Sequence, residues 1–565
     1  MNTLLPWAFV ATLPGLVATA CGRGPRPGIA SLPGPVLVFA AGLLWLLGDQ
    51  TPLVVTHANW LPLLGDAAFV LRLDALAAVM LCVVGAVSTC VYVYSLEYMR
   101  HDAGQRRFFA LLDFFVATMC LLVLAGNLVV LLAGWAGVGL ASFLLISFWR
   151  EKPEAMPAGL QALAANAIGD AALLLAIALL PAGAGDLTSL HTASLAAVPG
   201  GASTLAALLV IAAAAKSAQG PLYFWLPSAM AGPTPVSALI HAATMVAAGV
   251  YLLCRTFPLL SLAPGVLLAV AWIGVITALL AGIGSLQQPN YKRGLAYSTL
   301  SQLGYMFAAV GFHAPFAAFF HLLTHASFKA LLFLVAGVVI HAADGEERLA
   351  RLGGLRTQLK STALLAFIGS MALIGLPVLT AGAFSKDLIL EAGFEHAPAL
   401  GGLLLLGVVL TGLYTGRLWF AVFGRSDSTL HAHAPGACMT LPLAVLALGA
   451  CGLGWLGPQL GALLQGSLFL DALGTPPAVH AWSSLGALAG ALGAGGFLIA
   501  GLWVRKAGSG ACMPALVVPW IDATRDLSAL AARRVAGVHD GRLVGYLFCC
   551  VVGTGLTMLL SRLGA

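Results

Sequence analysis

The sequence predicts an all-α membrane protein with about sixteen transmembrane helices, two inverted repeats that each contain a broken helix, and a short C-terminal interfacial helix. Apolar residues make up 60% of the 565 residues and charged residues only 8%, with a mean hydropathy of +0.97. The apolar residues form long runs, and a few lysines interrupt these runs close to prolines. This composition excludes an ordinary soluble domain.

The apolar runs have the length that crosses a bilayer, roughly 17–25 residues. The sixteen runs cover 3–21, 33–48, 71–94, 108–125, 128–149, 160–181, 203–218, 234–256, 264–286, 294–311, 315–341, 362–380, 401–422, 439–457, 484–503 and 543–561. The first run has no basic segment before it and no small-residue cleavage pattern after it. We therefore expect a retained helix there and not a signal peptide.

Arginine and lysine mark one face of the membrane. Loops after odd-numbered runs carry nearly all of them, as at Arg106, Arg107, Lys292 and Arg293, whereas the loop 182–202 has none. Because cytoplasmic loops are enriched in basic residues, both termini are predicted on the outer, periplasmic side of a bacterial-type inner membrane. The net charge of +6 follows from this topology, and no basic run interleaved with aromatic residues indicates a nucleic-acid partner.

Cofactor motifs are missing from the sequence. The ten cysteines are scattered without a C-x2-C spacing, which argues against an iron–sulfur cluster or structural zinc. No G-x-G-x-x-G follows a strand, and there is no Walker A sequence. We expect no cofactor, bound nucleotide or metal on this chain, and therefore neither a redox nor a hydrolytic centre. Its energy must come from an ion gradient or from partner subunits.

Two segments place a lysine next to a helix break. The first is Lys216, which four prolines follow at positions 221, 227, 233 and 235. The second contains Pro377, followed by Lys386 and Asp387. Ionisable groups at membrane depth are costly and normally face a protein interior or a water-filled path. Transporters place ion sites at such breaks, so both segments are predicted to be functional.

Between the two breaks, His321, His325 and Lys329 follow at i, i+4 and i+8, which places them on one helix face. Neutral histidine can accept and pass a proton near physiological pH. The predicted proton path comprises Lys216, His241, His321, His325, Lys329, Lys386, Asp387 and Asp170. Asp170 would keep Lys216 protonated. The alternative for Asp170 is a structural role as a charge near the start of its own helix. For the histidines, the alternative is a structural core role.

The chain divides into four predicted regions. These are N-terminal helices at 1–107, a first repeat at 108–256, a second repeat at 257–422, and C-terminal helices at 423–565 with a short amphipathic segment at 505–542. Inverted repeats with one broken helix each are typical of transporters. We therefore expect the two repeats to carry the ion path.

Long motifs make the chain resemble the subunit L (chain 5) family of respiratory complex I and the related multisubunit cation antiporters. They are GWAGVGLASFLLISFW at 134–149, AKSAQGP at 215–221, KRGLAYSTLSQLGYM at 292–306, HLLTH at 321–325 and AGAFSKD at 381–387. The resemblance implies antiporter-like repeats and other membrane subunits as partners. It also implies that Lys216 serves the first half-channel, that Lys329 links the two, and that Lys386 serves the second.

The chain departs from this family at acidic positions. The resemblance implies a glutamate at Ala136, which would pair with Lys216; the other substituted acids are at Gly126, Ser228, Asn290 and Leu388. Asp113 is a candidate substitute for the missing glutamate. The sequence thus favours a subunit that moves protons and is driven by its partners. Two alternatives are a proton- or sodium-coupled membrane subunit of an inorganic-carbon uptake complex with a soluble zinc-binding partner, and a scaffold whose channel has partly decayed.

Overall fold

The computed structural model describes residues 2–20, 27–61, 67–180, 185–190, 195, 198–424, 432–465, 479, 483–510 and 512. The N-terminal part consists of a 3-10 helix Asn2–Thr12, α1 Leu13–Ala20, α2 Pro27–Ser31, α3 Pro33–Leu47, β1 Leu53–Leu61, β2 Ala67–Leu73 and α4 Ala75–Tyr98. The first predicted repeat contains α5 Gln105–Val123, α6 Leu128–Ile146, α7 Ala155–Leu179, α8 Gly201–Lys216, α9 Trp225–Ser228, a 3-10 turn Ala229–Ala231, α10 Thr234–Ala242 and α11 Met245–Arg255.

The second predicted repeat begins with a short helix. Its elements are α12 Phe257–Leu260, α13 Pro264–Gln287, α14 Tyr291–Gly311, α15 Pro315–Ala342, α16 Lys360–Ile374, α17 Ala381–His396 and α18 Pro398–Phe423. The described C-terminal elements are α19 Ala437–Gly452, a 3-10 helix Leu453–Leu456, α20 Gly457–Leu464 and α21 Ser484–Ala507. The fold is thus helical, as the apolar runs predict.

Ten segments of the described chain are long and apolar enough to cross a membrane, so the protein is a multi-pass membrane protein. The count of sixteen spans stays a prediction. The predicted last span, 543–561, lies outside the described residues, as does nearly all of the predicted interfacial segment 505–542.

Two boundaries differ from the sequence prediction. The run that starts at residue 71 is not helical at first, because β1 and β2 form an antiparallel hairpin that ends at Leu73. The Asp74 carboxylate then accepts a hydrogen bond from the Ala77 amide at 3.1 Å and starts α4. In addition, α17 is a separate helix that lies in the chain between the predicted runs 362–380 and 401–422. Its polar residues lower its hydropathy below that of a simple span.

Both predicted helix breaks are confirmed. In the first, α8 ends at Lys216, and the chain passes through turns before α10 begins. A further interruption at Thr244 separates α10 from α11, where the threonine hydroxyl donates to the Leu239 carbonyl at 2.7 Å. In the second, α16 ends at Ile374, and Gly375 has a φ of +87°, which a residue without a side chain adopts at little cost.

The basic loops meet at one face of the bundle. Arg107 donates to the Phe148 carbonyl at 2.6 Å, and Lys292 forms a 2.7 Å ion pair with Glu347. Burial and then the neighbouring Lys292 lower the pKa of Lys152, since the loop after α6 lies near the start of α14. Because α5 starts at this face and α13 ends at it, the two sets of helices cross in opposite senses, as an inverted repeat requires.

Candidate functional site

The first lysine lies in the last turn of α8 and faces α6 and α7. The Lys216 ammonium is fully buried and forms an ion pair with Asp170 at 3.6 Å. It also lies 5.3 Å from the centre of the Trp135 ring, and a Cβ atom on Gly139 would come within 2.8 Å of it. Trp135 and Gly139 are four residues apart and share one face of α6. Glycine at position 139 therefore leaves the space that the ammonium occupies.

The two positions considered for a replacement acid have different surroundings. Ala136 is half-buried on α6, between the two residues that contact Lys216. Asp113 is buried against the N-terminal helices, where it accepts hydrogen bonds from Ser31 at 2.6 Å and Tyr92 at 2.9 Å. The carboxylate that the structure brings to Lys216 is thus that of Asp170, whereas Asp113 binds neutral hydroxyls.

The second lysine lies at the break between α16 and α17. The Lys386 ammonium donates to the Leu373 carbonyl and also contacts the Ile374 carbonyl at 3.5 Å. It is 5.6 Å from the centre of the Tyr305 ring. The last carbonyls of a helix carry partial negative charge and have no partner within the helix. The broken helix thus supplies polar acceptors to a buried cation at this point.

Asp387 follows Lys386 but contacts a different element. Its carboxylate accepts a hydrogen bond from Ser483 at 2.6 Å, and the same hydroxyl accepts from the Gly486 amide at 2.8 Å. Ser483 is the N-cap of α21, where a negative charge is favourable. These contacts bind the second broken helix to α21.

The histidines of α15 face α17. His321 Nδ1 is 2.9 Å from the Ser385 hydroxyl, which is also 2.9 Å from the Thr324 hydroxyl. The rings of His321 and His325 are 6.1 Å apart, one helical turn from each other. The predicted helix face is confirmed, and Ser385, next to Lys386 in the chain, connects it to the second break.

Lys329 completes this face one turn later. Its ammonium donates to the Ser298 hydroxyl and contacts the Leu295 carbonyl at 3.4 Å, both on α14. His241 on α10 packs against Phe333 of α15, with 4.6 Å between the ring centres. Lys329 acts electrostatically on His241 and on both α15 histidines, and Lys386 acts on Lys329 in turn. These titratable groups therefore form one buried cluster, which we call the α15 cluster. It comprises His241, His321, His325, Lys329 and Lys386.

Several polar atoms of this cluster lack a hydrogen-bond partner among the described residues. They are Nδ1 and Nε2 of His241, Nε2 of His321 and Nε2 of His325. Buried polar atoms are normally hydrogen-bonded, either to protein or to ordered water. Ordered water beside these imidazoles would supply the hydrogen bonds that their nitrogens need.

A small cavity lies next to both acceptors of the buried lysines. It has a volume of about 10 Å³ and is lined by Tyr291, Leu295, Leu332, Ser370, Leu373, Thr415, Leu418 and Trp419. Leu295 and Leu373 supply the carbonyls that Lys329 and Lys386 contact. A volume near 10–15 Å³ holds about one water molecule. The cavity can therefore hold about one water molecule beside these two leucines and Tyr291.

No cluster of three or more histidine, cysteine, aspartate or glutamate side chains that could hold a metal ion occurs in the described part of the chain. The site is instead a set of buried ion-pair and hydrogen-bonding groups. Sequence reasoning missed its neutral members: Trp135, Gly139, Ser298 and Ser385. Ser385 could have been found from its place beside Lys386, and Trp135 and Gly139 from their shared helix face. The acceptor role of Ser298 depends on how α14 packs on α15.

Comparison with known proteins identifies the membrane-protein family of the chain. The family described as NADH:quinone oxidoreductase/Mrp antiporter, TM, matches residues 125–413, and that of the complex I chain 5 N-terminus matches residues 60–109. NADH-quinone oxidoreductase subunit L of Rhodobacter capsulatus is 42% identical over 460 residues, which cover 73% of this chain and 65% of that protein. The Escherichia coli (strain K12) subunit L is 45% identical over 390 residues, which cover 67% and 63%.

A solved structure agrees with these relatives. The Mrp complex from Dietzia sp. DQ12-45-1b contains a chain that superposes with a TM-score of 0.79 at 29% identity, covering 100% of this chain and 63% of that one. This chain thus spans less than two thirds of the length of these three proteins. The match to residues 125–413 contains all the lysines and histidines of the site. The chain belongs to the NADH:quinone oxidoreductase/Mrp antiporter family of membrane proteins.

Proposed function

We propose that the chain is the proton-translocating antiporter-like subunit of a complex I-like NADH:quinone oxidoreductase. The observation that carries this proposal is the α15 cluster, in which buried imidazoles with unpartnered nitrogens lie between two buried lysines. Such groups are costly in a membrane protein unless they face an ion path. The names of the relatives and the family match support the same assignment.

The proposed mechanism separates the two lysines by their counter-charges. Lys216 is held by the Asp170 carboxylate, so it releases a proton when a movement lengthens this 3.6 Å pair. Lys386 is held by helix carbonyls, which stabilise a cation but also tolerate a neutral amine. Protons would pass between the lysines through water and the α15 imidazoles. The driving force would come from quinone chemistry in partner subunits.

The two alternative functions have less support. An inorganic-carbon uptake subunit would share the channel, but the relatives found are complex I subunits and an Mrp complex, which do not favour it. A scaffold with a decayed channel is suggested by Ala136, where the resemblance implies a glutamate. Against decay, the first lysine keeps a carboxylate partner in Asp170.

The partners and location follow from this proposal. The chain would lie in a bacterial inner membrane with other membrane subunits, with both termini on the outer side and the basic loops in the cytoplasm. Protons are the proposed ion, and sodium is the alternative. The chain itself would carry no cofactor.

The test is to reconstitute the complex that contains this chain into liposomes and measure quinone reduction and proton pumping together. Lys329→Met should reduce the pumped protons per electron pair, because Lys329 connects His241 and both α15 histidines. Removing a positioned proton-transfer group lowers the rate of its proton-transfer step by roughly 10²–10⁴-fold.

The matched control is Lys506→Met, which removes an exposed lysine at the end of α21. It should leave pumping unchanged. Equal pumping in Lys329→Met and wild type, with normal assembly, would favour the scaffold. Pumping that depends on sodium would instead identify sodium as the transported ion.

A further inference from the structure

Two histidines meet at the face of the bundle opposite the basic loops. His313 lies in the turn between α14 and α15, and His396 is the last residue of α17. Their rings are nearly parallel, with 5.7 Å between centres and an interplanar angle of 16°. Neither belongs to the α15 cluster, and neither is used by the proposed proton path.

The hydrogen bond of His396 fixes which nitrogen is free. His396 Nδ1 is 3.2 Å from the Ala392 carbonyl, one turn earlier on α17. A carbonyl can only accept, so Nδ1 carries the proton and Nε2 keeps its lone pair. Histidines that bind metals commonly donate their other ring N–H to a backbone carbonyl in this way. His396 is thus arranged as an Nε2 ligand, and it is exposed to solvent.

The position of His313 is equally constrained. Its φ of +58° lies in the left-handed region, which residues other than glycine adopt rarely and at a cost. Phe257 packs edge-on to its ring at 6.2 Å, and His396 is a second ring neighbour at 5.7 Å.

We propose that His313 and His396 form a binding site for a divalent transition-metal ion of the zinc or copper type. Two neutral imidazoles suit Zn²⁺ and Cu²⁺ and are poor ligands for Mg²⁺ or Ca²⁺. Within the described residues no third histidine, cysteine or carboxylate completes a cluster here, so water fills the remaining positions. The bound ion is exchangeable and exposed, unlike a buried structural zinc.

Binding would join two turns that border helices of the α15 cluster. The turn at His313 leads into α15, which carries His321, and the turn at His396 ends α17, which carries Lys386. A shared metal ion links the ends of these two helices. The site itself does not depend on the proposed proton translocation, so its test does not depend on transport either.

The test uses the full chain in its complex, in lipid nanodiscs, with Cu²⁺ as the probe. Electron paramagnetic resonance counts the imidazole nitrogens bound to Cu²⁺ at one equivalent. Two are expected in the wild type and one in His313→Asn or His396→Gln; asparagine is chosen at 313 because it tolerates a positive φ. A Zn²⁺ competition titration should show the same strong site lost in either variant. In this Zn²⁺ titration the double variant should lose no more affinity than either single variant.

The matched control is His101→Ala, which removes an exposed loop histidine at the basic face. It should keep the two-nitrogen signal. Zn²⁺ should also slow hydrogen exchange in the turns around residues 313 and 396 in the wild type, and not in the variants. A one-nitrogen signal in the wild type, or losses that add up in the double variant, would overturn the proposal, because the two histidines would then bind independently.

Discussion

Replacing Asp170 by asparagine tests the ion pair that the structure places in the first half of the site. Asparagine keeps the shape of the side chain but removes its charge. At 3.6 Å and an effective dielectric constant near 20, the attraction between the two charges is about 5 kcal/mol. Measured costs of breaking one partner of a buried pair are about 3–5 kcal/mol.

The penalty has an upper limit, because Lys216 can lose its proton in the variant. Neutralising a lysine that titrates near pH 10.4 in water costs about 5 kcal/mol at pH 7. If this happens, the unfolded chain binds one more proton than the folded chain, so the variant gains stability as pH rises. We therefore expect Asp170→Asn to be destabilised by about 3–5 kcal/mol at pH 7 and by less at pH 9.

The assay is the melting temperature of the detergent-solubilised protein, followed by the loss of its monodisperse elution peak, at pH 7 and pH 9. Lys216→Met combined with Asp170→Asn should melt above Asp170→Asn alone, because no uncompensated charge remains. Lys216→Met alone should be milder than Asp170→Asn, since Asp170 is 17% exposed and can be hydrated whereas Lys216 is 0% exposed. Glu154→Gln, an exposed change directly before the first residue of the same helix, is the control.

The reasoning would be refuted if Asp170→Asn melted at the wild-type temperature at pH 7. It would also be refuted if the effects of the two substitutions simply added in the double variant. Either result would mean that the two side chains do not interact as charges in the folded protein. Lys216 would then need another counter-charge.

Three further predictions concern neighbouring contacts. Gly139→Ala should displace the Lys216 ammonium, because the new Cβ would lie 2.8 Å from it; proton pumping should fall while Gly139→Ala still assembles, and unchanged pumping would show that the ammonium has room to move. Asp113→Ala should destabilise by about 1–3 kcal/mol by leaving two buried hydroxyl donors without an acceptor, whereas Asp113→Asn should cost less in a melting assay. Ser385→Ala should slow pumping by removing the hydroxyl 2.9 Å from His321, and Ser385→Thr should restore it; equal rates in both variants would assign Ser385 a packing role.

The sequence predicted the local features of this protein well. Periodicity placed His321, His325 and Lys329 on one helix face because the helical repeat is set by neighbouring residues. The prolines after Lys216 and Pro377 after α16 marked both helix breaks for the same local reason. Composition was enough to identify a membrane protein, since the bilayer requires long apolar runs.

Tertiary packing decided which groups pair. Asp170 on α7 forms an ion pair with Lys216. Asp113 instead accepts hydrogen bonds from Ser31 and Tyr92, although both acids lie in apolar runs. Lys386 takes its acceptors from the end of α16, whereas the adjacent Asp387 binds the start of α21. These partners come from other helices, and the identity of an acid does not indicate which helix it will face. The charges of this membrane protein were therefore readable from its sequence, but their counter-charges depended on how the helices pack.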